Sequence, residues 1–217
     1  MLEIDSVSLS YGNKDILSGC YLNCKNGEVL GLLGRNGCGK SSLLKIIFGS
    51  LKARFMHLTL SKKTITKAFA GKDIAYLPQH RLLPSFLTVK SVLNECDKYI
   101  MPKEVTDRYS SLKDNKVDEL SGGELRFLEC LWILSRPATY LLLDEPFSEI
   151  APYQVEMLQD IIRKKGETKG IILTDHMYRP LIEVSDRIVL MHNNAIYSIK
   201  NEADLILYNY IPDFSTW

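Results

Sequence analysis

Hydrophobic and polar residues follow two different patterns in the first fifty residues of the chain. Leu2–Leu9 alternates between the two types, as a half-buried strand does. Glu28–Leu33 is a nearly unbroken apolar run that ends at a glycine, which is typical of a strand buried on both faces. Ser41–Phe48 then carries apolar residues at helical spacing. The pattern therefore predicts a strand, a glycine-containing loop and a helix, in that order.

Further short apolar runs recur along the chain, and helical patterns separate them. The runs are rich in Ile, Leu and Val and occupy Ile74–Leu77, Tyr140–Leu143, Gly170–Thr174 and Arg187–Met191. The clearest helical patterns are Gly123–Ser135 and Pro152–Lys165. Alternation of this kind predicts an α/β fold with a mostly parallel core sheet that is covered by helices.

One stretch lacks buried-strand runs and has helical character instead. It extends from about Arg81 to Asp118, and we therefore place a helical subdomain at roughly residues 81–135. No repeat or linker divides the sequence, so we expect a single domain over residues 1–217. Near the end of the chain, Asn193-Asn194 lies between two apolar runs and predicts a hairpin turn.

Composition and charge restrict the class of protein. The 217 residues are 46% hydrophobic and 24% charged, which favours a folded globular domain over intrinsic disorder. Twenty-seven basic residues against 26 acidic ones give a net charge of +1, so we expect no nucleic-acid partner. The apolar runs are far shorter than the ~18 residues of a membrane span, and the N-terminus lacks a signal-peptide pattern, so we expect a cytoplasmic protein. The five cysteines include no CxxC pair, which favours reduced thiols.

The first candidate site is the segment Gly34–Ser41, which matches the phosphate-loop pattern G-x-x-x-x-G-K-[ST]. Glycines allow backbone N–H groups to surround phosphate oxygens at the positive end of a helix. We expect Lys40 to reach the β- and γ-phosphates and Ser41 to ligate Mg²⁺. The nucleotide-binding residues predicted here are Gly34, Asn36, Gly37, Cys38, Gly39, Lys40, Ser41 and Ser42.

The second candidate site is the acidic pair Asp144-Glu145 at the end of a predicted buried strand. The strand would bring Asp144 to the carboxyl edge of the sheet, where its carboxylate can hold Mg²⁺. Glu145 follows directly and can act as a general base on an attacking water. Alone, this pair is equally well explained as a buried strand that enters a polar loop.

The third candidate site is Leu120–Glu124, with the sequence LSGGE, which precedes a predicted helix. The hydroxyl of Ser121 and the N–H groups of Gly122 and Gly123 can together bind an anion. The segment also reads as a helix cap, with Ser121 at the cap and Glu124 three residues later. Both interpretations use the same unsatisfied N–H groups and are compatible.

These three motifs, in this order and spacing, resemble the ATPase subunit of ABC transporters. The resemblance implies a P-loop NTPase fold that has a small antiparallel β subdomain and a short helical subdomain beside the core sheet. It implies ATP and Mg²⁺ as cofactors, and hydrolysis in which Glu145 activates water while Lys40 and His176 stabilise the γ-phosphoryl group. The resemblance covers nearly the whole chain.

Three further residues acquire roles through the resemblance. Tyr11 matches the aromatic residue that stacks on adenine. Gln79, in IAYLPQH, matches the glutamine that approaches Mg²⁺ and water and links to the helical subdomain. His176, in IILTDHM, matches the histidine that contacts the γ-phosphate. Taken alone, each has a plain structural explanation as a surface, loop or strand-end residue.

The resemblance also implies the partners of the chain. Each ATP would lie between the Lys40 loop of one ATPase subunit and the Ser121–Gly123 turn of a second, in a homo- or heterodimer. The pair would power separate membrane-spanning subunits and would be attached peripherally to the cytoplasmic face of the membrane. Motion would reach those subunits through the region of Gln79.

The chain departs from the family pattern at several positions. Ala151 stands where an aspartate that helps communication across the dimer is expected, which brings that communication into question. The 42 residues from Gln79 to Ser121 are few for the family, which indicates a small helical subdomain. The tripeptide Thr174-Asp175-His176 resembles subunits of branched-chain amino-acid import and lipopolysaccharide export. Cys38 suggests that thiol modification blocks ATP binding, although an inert small residue explains it equally well.

Two alternatives to a transporter ATPase remain open at the level of sequence. One is an ABC-type ATPase outside transport, acting in DNA repair, chromosome handling or translation, although the sequence has no tandem unit, long coiled coil or basic arm. The other is a regulatory nucleotide-binding subunit with slow turnover, which Ala151 favours and Glu145 opposes.

Overall fold

A computed structural model describes residues 1–65, 68, 71–96, 101 and 103–212 of the chain. Its strands are β1 Leu2–Tyr11, β2 Lys14–Cys24, β3 Glu28–Gly34, β4 Phe55–Leu60, β5 Lys63–Thr64, β6 Ile74–Leu77, β7 Tyr140–Asp144, β8 Gly170–Thr174, β9 Arg187–His192 and β10 Ala195–Ile199. Its α-helices are α1 Lys40–Phe48, α2 Val89–Leu93, α3 Lys103–Ser111, α4 Gly122–Leu134, α5 Pro152–Gly166, α6 Tyr178–Val184 and α7 Glu202–Leu207.

The larger sheet has six strands in the order β10-β9-β3-β8-β7-β6. The five strands from β9 to β6 pair in parallel, and β10 pairs antiparallel with β9. Asn193 and Asn194 form the β9–β10 turn with φ angles of 46° and 63°, the left-handed values that a tight hairpin requires. The predicted α/β fold, mostly parallel sheet and hairpin turn are therefore confirmed.

The smaller sheet is antiparallel and has the order β2-β1-β4-β5. It matches the antiparallel β subdomain that the resemblance implied. The hydrophobic pattern predicted β1, which extends two residues further than expected, but it did not predict β2, β4 or β5. Strand β2 carries Ser18-Gly19 and the exposed residues of a solvated face, so its apolar positions are too scattered to form a clear run.

Two hydrophobic cores lie on the two faces of the larger sheet. Because successive side chains of a strand point to opposite faces, Leu141 and Leu143 enter one core and Leu142 enters the other. The first core lies under α4, α5 and α6, and the second lies between α1 and the antiparallel sheet. The sheet is thus covered on both faces, as its continuous apolar strands predicted.

The segment expected to be helical contains α2, α3 and α4 and a short 3₁₀ turn at Val117–Glu119. Residues 97–100 and 102 of that segment lie outside the described residues, as do residues 213–217 of the expected domain. Val89, Val105 and Tyr109 of this segment join the same core as Leu141 of the sheet. The helical subdomain boundaries and the single-domain assignment stay predictions.

Within the part of the chain that the structure describes, we find no helix whose length and hydrophobicity would let it cross a membrane.

Candidate nucleotide site

An open cleft lies at the carboxyl ends of β3 and β7, beside the antiparallel sheet. Its walls come from six separate segments of the chain. The lining residues are Tyr11, Ile16, Asn36, Gly37, Gly39, Lys40, Ser41, Ser42, Gln79, Glu145 and His176. Ten of these eleven were predicted from the sequence, and Ile16 was not. Tyr11 stands at the edge of the cleft with 56% of its surface exposed.

The phosphate loop connects β3 to α1 and forms the floor of this cleft. Gly39 precedes the first residue of α1 with a φ of 112°, and a side chain there would meet Ile16 at 2.9 Å and Leu17 at 3.0 Å. Only glycine therefore fits this position without strain. Nζ of Lys40 donates to the carbonyl oxygens of Gly34 (2.7 Å) and Arg35 (3.2 Å), which holds the amine along the loop.

Predicted loop residues Gly34 and Cys38 do not line the cleft. Gly34 contributes its carbonyl to Lys40, as above. Burial raises the pKa of the Cys38 thiol, and the charge of Lys40 partly opposes this effect. A raised pKa lowers the thiolate fraction, so the environment disfavours a reactive thiol at this position. The proposed sensitivity of ATP binding to Cys38 modification stays a prediction.

Asp144 joins the phosphate loop to the end of β7. Oγ of Ser41 donates to Oδ1 of Asp144 at 2.9 Å, and the hydroxyl of Tyr76 donates to Oδ2 at 2.9 Å. Asp144 is fully buried, and burial is the main reason why its pKa is raised, with a smaller contribution from the charge of Glu145. The Ser41 and Tyr76 hydrogen bonds lower the pKa and partly offset burial.

Glu145 lies next to Asp144 and turns into the cleft. Its backbone has a φ of 57°, a left-handed value that is uncommon for a residue with a side chain. Nε2 of Gln79 donates to its Oε2 at 3.0 Å, and Nδ1 of His176 lies 3.8 Å from the same oxygen. The structure therefore brings Gln79, Glu145 and His176 together, although they lie on three different loops.

The predicted turn Ser121–Gly123, called the signature turn below, lies outside the cleft of its own chain. Ser121 caps α4 by accepting from the N–H of Glu124 at 3.3 Å, and the Glu124 carboxylate accepts from the Ser121 N–H at 3.1 Å. This confirms the capping-box interpretation. A side chain on Gly123 would meet the carbonyl oxygen of Glu149 at 2.5 Å, so the turn packs tightly against the segment that follows β7.

Ala151 lies just before α5, at the end of the same segment. It makes no side-chain cap, and Pro152 occupies the first turn of the helix. The N–H of Ala151 donates to Oε1 of Gln154 at 3.2 Å, which is the reciprocal half of a capping box, while the alanine side chain provides no acceptor for the first turn of α5.

The sequence did not predict several buried polar side chains that hydrogen-bond to the backbone of the loops around the site. Arg126 of α4 is 6% exposed and donates to the carbonyl oxygens of Pro78, Asp144 and Glu145. Its neighbour Glu129, 2% exposed, lies 3.5 Å from Arg126. The sequence feature that indicates these groups is a pair of opposite charges three residues apart in the otherwise apolar pattern of α4. Such charges require partners when they are buried.

Glu129 and Asp175 hold the loops that surround the site. Oε1 of Glu129 accepts from the N–H groups of Leu82 and Leu83 at 2.6 and 3.0 Å. Asp175 is fully buried, accepts from the N–H groups of Phe147 (2.8 Å) and Met177 (2.9 Å), and has a pKa raised mainly by burial. These carboxylates fix backbone rather than face the cleft.

Comparisons with known proteins agree with this geometry. The ABC transporter family model matches residues 17–148, which is more than half of the chain. The lipopolysaccharide export system ATP-binding protein LptB of Acidithiobacillus ferridurans is 28% identical, over 95% of this chain and 92% of its own. The high-affinity branched-chain amino acid transport ATP-binding protein BraG of Pseudomonas aeruginosa is 29% identical, over 90% of this chain and 91% of its own.

Solved structures share the fold. An ATP-binding subunit of an ABC transporter superposes with a TM-score of 0.80 at 20% identity, covering 95% of this chain and 92% of that one. A dimeric ATP-binding cassette in a post-hydrolysis state, bound to ADP and Pi, gives a TM-score of 0.75 at 18% identity, over 93% of this chain and all of that one. Because the family match includes the phosphate loop, the LSGGE segment and the acidic pair, the chain belongs to the ABC transporter family as an ATP-binding and ATP-hydrolysing subunit.

Proposed function

We propose that Lys40, Ser41, Asp144, Glu145, Gln79 and His176 form one half of an ATP-hydrolysing site. Lys40 and the loop N–H groups bind the phosphates, and Tyr11 stacks on the adenine at the mouth of the cleft. Glu145 accepts the proton of the attacking water, and Lys40 with His176 stabilises the charge that develops on the γ-phosphoryl oxygens.

One observation carries this proposal. Ser41 and Asp144 are 103 residues apart in the chain, and their side chains form a 2.9 Å hydrogen bond at the edge of the cleft. A phosphate loop and an acidic strand end that meet in this way are typical of a nucleotide site in a parallel sheet, which supports the proposal. Glu145 and His176 line the same cleft as Lys40, which supports their proposed roles at the γ-phosphate.

The donor set fits Mg²⁺. Ser41 and Asp144 offer a hydroxyl and a carboxylate oxygen, and Gln79 offers an amide oxygen nearby, all of them hard ligands. Among the described residues, no group of three or more His, Cys, Asp or Glu side chains is arranged to hold a metal ion. Mg²⁺ takes one or two protein ligands and completes its shell with phosphate oxygens and water. When bound, Mg²⁺ would neutralise charge on the β- and γ-phosphates.

The second half of the site would come from another ATPase subunit. Gly122 and Gly123 carry the first N–H groups of α4 and follow the cap residue Ser121, but none of the three lines the cleft of its own chain. In a head-to-tail dimer, the turn of each subunit would close over the ATP of the other. We propose that this closure drives separate membrane-spanning subunits, with the chain attached peripherally to the cytoplasmic face through them.

The route from the site to those subunits would pass through Gln79. The loop after β6 carries Gln79 and then enters the helical segment, and Glu129 and Arg126 of α4 both hold it. A shift of Gln79 relative to Glu145 would therefore move the surface of the helical segment. Phe86 of that surface is 73% exposed.

ATP turnover by the purified chain tests the proposal, with Glu145→Gln run in parallel and mass followed by light scattering. We expect Mg²⁺-dependent turnover in the wild type. We expect Glu145→Gln to bind ATP, lose at least ~10²-fold in kcat and accumulate as a dimer, because the base is removed and the phosphate contacts are kept.

Lys40→Ala is the matched contrast because it removes a phosphate contact and leaves the base in place. It should lose nucleotide binding and show no ATP-dependent dimer. Undiminished turnover in either variant would refute the assignment. The absence of both turnover and dimer in the wild type would instead favour an ATPase that is completed by a different, related subunit, which co-purification would identify.

A further inference from the structure

Two consecutive residues of α3 hold the start of α4, where the signature turn lies. Nη2 of Arg108 donates to Oε1 of Glu124, in an ion pair whose arginine side chain is 60% exposed. The hydroxyl of Tyr109 donates to the carbonyl oxygen of the same Glu124 at 2.6 Å. Both hydrogen bonds therefore end on the residue that directly follows Gly123 of the turn.

Tyr109 gives α3 a fixed position against α4. Its side chain is 1% exposed, and its ring stacks on that of Phe127, with centroids 6.3 Å apart and planes at 9°. Val105, one turn earlier in α3, is buried in the same core. Arg108 therefore extends from a helix that is anchored by packing, and its guanidinium meets Glu124 from a defined direction.

The carboxylate of Glu124 divides its two oxygens between α3 and the signature turn. Oε2 accepts from the hydroxyl of Ser121 at 2.8 Å and from the N–H of Ser121 at 3.1 Å, while Oε1 accepts from Arg108. Arg108 thus fixes the rotation of the carboxylate that faces Ser121. Because a hydroxyl has only one proton, the Ser121 hydroxyl that donates to Glu124 has none left for a phosphate oxygen.

The charge of this carboxylate works against the proposed role of the turn. Partial burial acts to raise the pKa of Glu124, but hydrogen bonds from Ser121 and Arg108 bring it below its ordinary value, so the group is ionised at neutral pH. Without a cation beside it, the carboxylate would repel an incoming γ-phosphate and compete with it for the Ser121 proton. Arg108 supplies that cation, and Ser121 is itself exposed, so a phosphate can reach it.

We infer that Arg108 is a positioning residue for the ATP of the opposite subunit, which neutralises and orients Glu124 so that Ser121 can turn its proton to the γ-phosphate. When the phosphate arrives, Glu124 keeps Arg108 and the Ser121 N–H as donors and releases the hydroxyl. The inference rests on the function proposed above. It assigns to α3 a part in closure of the dimer that the three sequence motifs do not include.

Arg108→Gln removes the cation and keeps a polar side chain. In the Glu145→Gln background, light scattering with ATP measures the protein concentration at which half of the chain is dimeric. We expect this midpoint to rise about five- to ten-fold, because an exposed charge pair contributes up to about five-fold and is lost at both sites of the dimer. Binding of mant-ATP to the monomer should stay within two-fold of the parent, since the phosphate loop is untouched. Arg108→Lys restores the charge and should return the midpoint to within two-fold of the parent.

Glu124→Gln separates an indirect role of Arg108 from a direct one. Glutamine also suits this position of a capping box, so the start of α4 is kept. In a chain that carries Glu124→Gln, Arg108→Gln should change the midpoint by less than two-fold, because the carboxylate that Arg108 neutralises is absent. A full loss in this background would overturn the inference, since Arg108 would then act on the phosphate itself.

Arg163→Gln is the control for net charge and stability. Arg163 pairs with Asp160 at 3.0 Å in the last turns of α5. The signature turn packs instead against Glu149, before the start of that helix. Thermal unfolding is recorded for every variant, and we expect Arg108→Gln and Arg163→Gln to melt within about 2 °C of each other, because exposed pairs contribute little to stability. A midpoint that both variants raise equally would overturn the inference, since the effect would then be one of net charge.

An unchanged midpoint in Arg108→Gln would also overturn the inference while the parent still dimerises. The proposed function fails separately, because its failure appears in the parent. A Glu145→Gln chain that forms no ATP-dependent dimer, with itself or with a co-purified ATPase subunit, would refute the paired site before any change at Arg108 is made.

Discussion

Nε2 of Gln79 donates a 3.0 Å hydrogen bond to Oε2 of Glu145, which joins the loop after β6 to the loop after β7. The same oxygen lies 3.4 Å from Oγ of Ser148 and 3.8 Å from Nδ1 of His176. The proposed general base is therefore oriented by a side chain whose backbone leads directly into the helical segment. Movement of that segment and orientation of the base are physically linked.

Gln79→Ala should lower kcat about five- to ten-fold, because Glu145 loses a donor that orients its carboxylate. Binding of mant-ATP without Mg²⁺ should stay within two-fold of wild type, since the phosphate loop is untouched. Steady-state ATPase assays and fluorescence titration measure both quantities. His80→Ala, at the adjacent exposed position, is the control. A wild-type kcat in Gln79→Ala would show that the hydrogen bond does not orient the base.

Asp144→Asn should stabilise the protein near neutral pH while it abolishes Mg²⁺-dependent turnover. Burial raises the folded-state pKa of Asp144 above its unfolded value. A raised carboxyl pKa means that the contribution of Asp144 to stability is greatest below the unfolded value, about 4, and is lost as pH rises through the folded pKa. The asparagine of the variant does not ionise, so the variant does not lose this stability. Its melting temperature should therefore exceed that of the wild type at pH 7.

The pH dependence supplies the internal control for Asp144→Asn. The difference in melting temperature should shrink as pH falls toward about 4, where both side chains are neutral. Each kcal/mol corresponds to roughly 2–4 °C in a chain of this size. An equal or lower melting temperature for the variant at pH 7 would mean that the Ser41 and Tyr76 hydrogen bonds fully offset the burial of the charge.

The hydrophobic pattern predicted the elements whose burial is uniform. Tyr140–Leu143 and Gly170–Thr174 are buried throughout, so their sequences contain little besides apolar residues, and both strands were placed within one residue. Strand β4, Phe55–Leu60, was missed because its first residue is 61% exposed and only Leu58 is fully buried. This half-exposed strand is stabilised by its pairing with β1 and β5, which a local pattern does not record.

The site residues that could be predicted are likewise those whose roles leave a local pattern in the sequence. Lys40, Ser41 and Asp144 were predictable because phosphate and Mg²⁺ impose residue types at fixed spacings along the chain. Tyr76 and Arg126 were not, because their roles depend on contacts 68 and 18 residues away in sequence. A tyrosine hydroxyl in a buried strand and a charged pair in an apolar helix signal that partners exist, without identifying them.

Arg126→Met should destabilise the chain by about 3–5 kcal/mol, because it leaves buried Glu129 without its cation and frees the carbonyls of Asp144 and Glu145. Denaturant unfolding measures the change. Arg163→Met is the matched control, since Arg163 pairs with Asp160 at the surface, where such pairs contribute at most about 1 kcal/mol. A loss below about 1 kcal/mol in Arg126→Met would show that Glu129 is held mainly by the Leu82 and Leu83 amides.

The carboxylate of Glu149 faces the signature turn of its own chain. Its Oε2 lies 2.6 Å from the position that a Cβ on Gly122 would take, and its backbone adopts a left-handed φ of 64°. In the proposed dimer, the turn must receive the γ-phosphate of the ATP bound to the other subunit. A carboxylate beside that anion position opposes closure electrostatically.

Glu149→Gln removes this charge and keeps the shape of the side chain. We expect the ATP-dependent dimer to form at roughly three-fold lower protein concentration, with a larger effect at low salt because exposed charges are screened at high salt. Light scattering with ATP in the Glu145→Gln background measures the midpoint of dimer formation. Glu156→Gln, at an exposed position on α5, removes an equal charge as the control. Equal midpoints for the two variants would mean that Glu149 affects closure only through net charge.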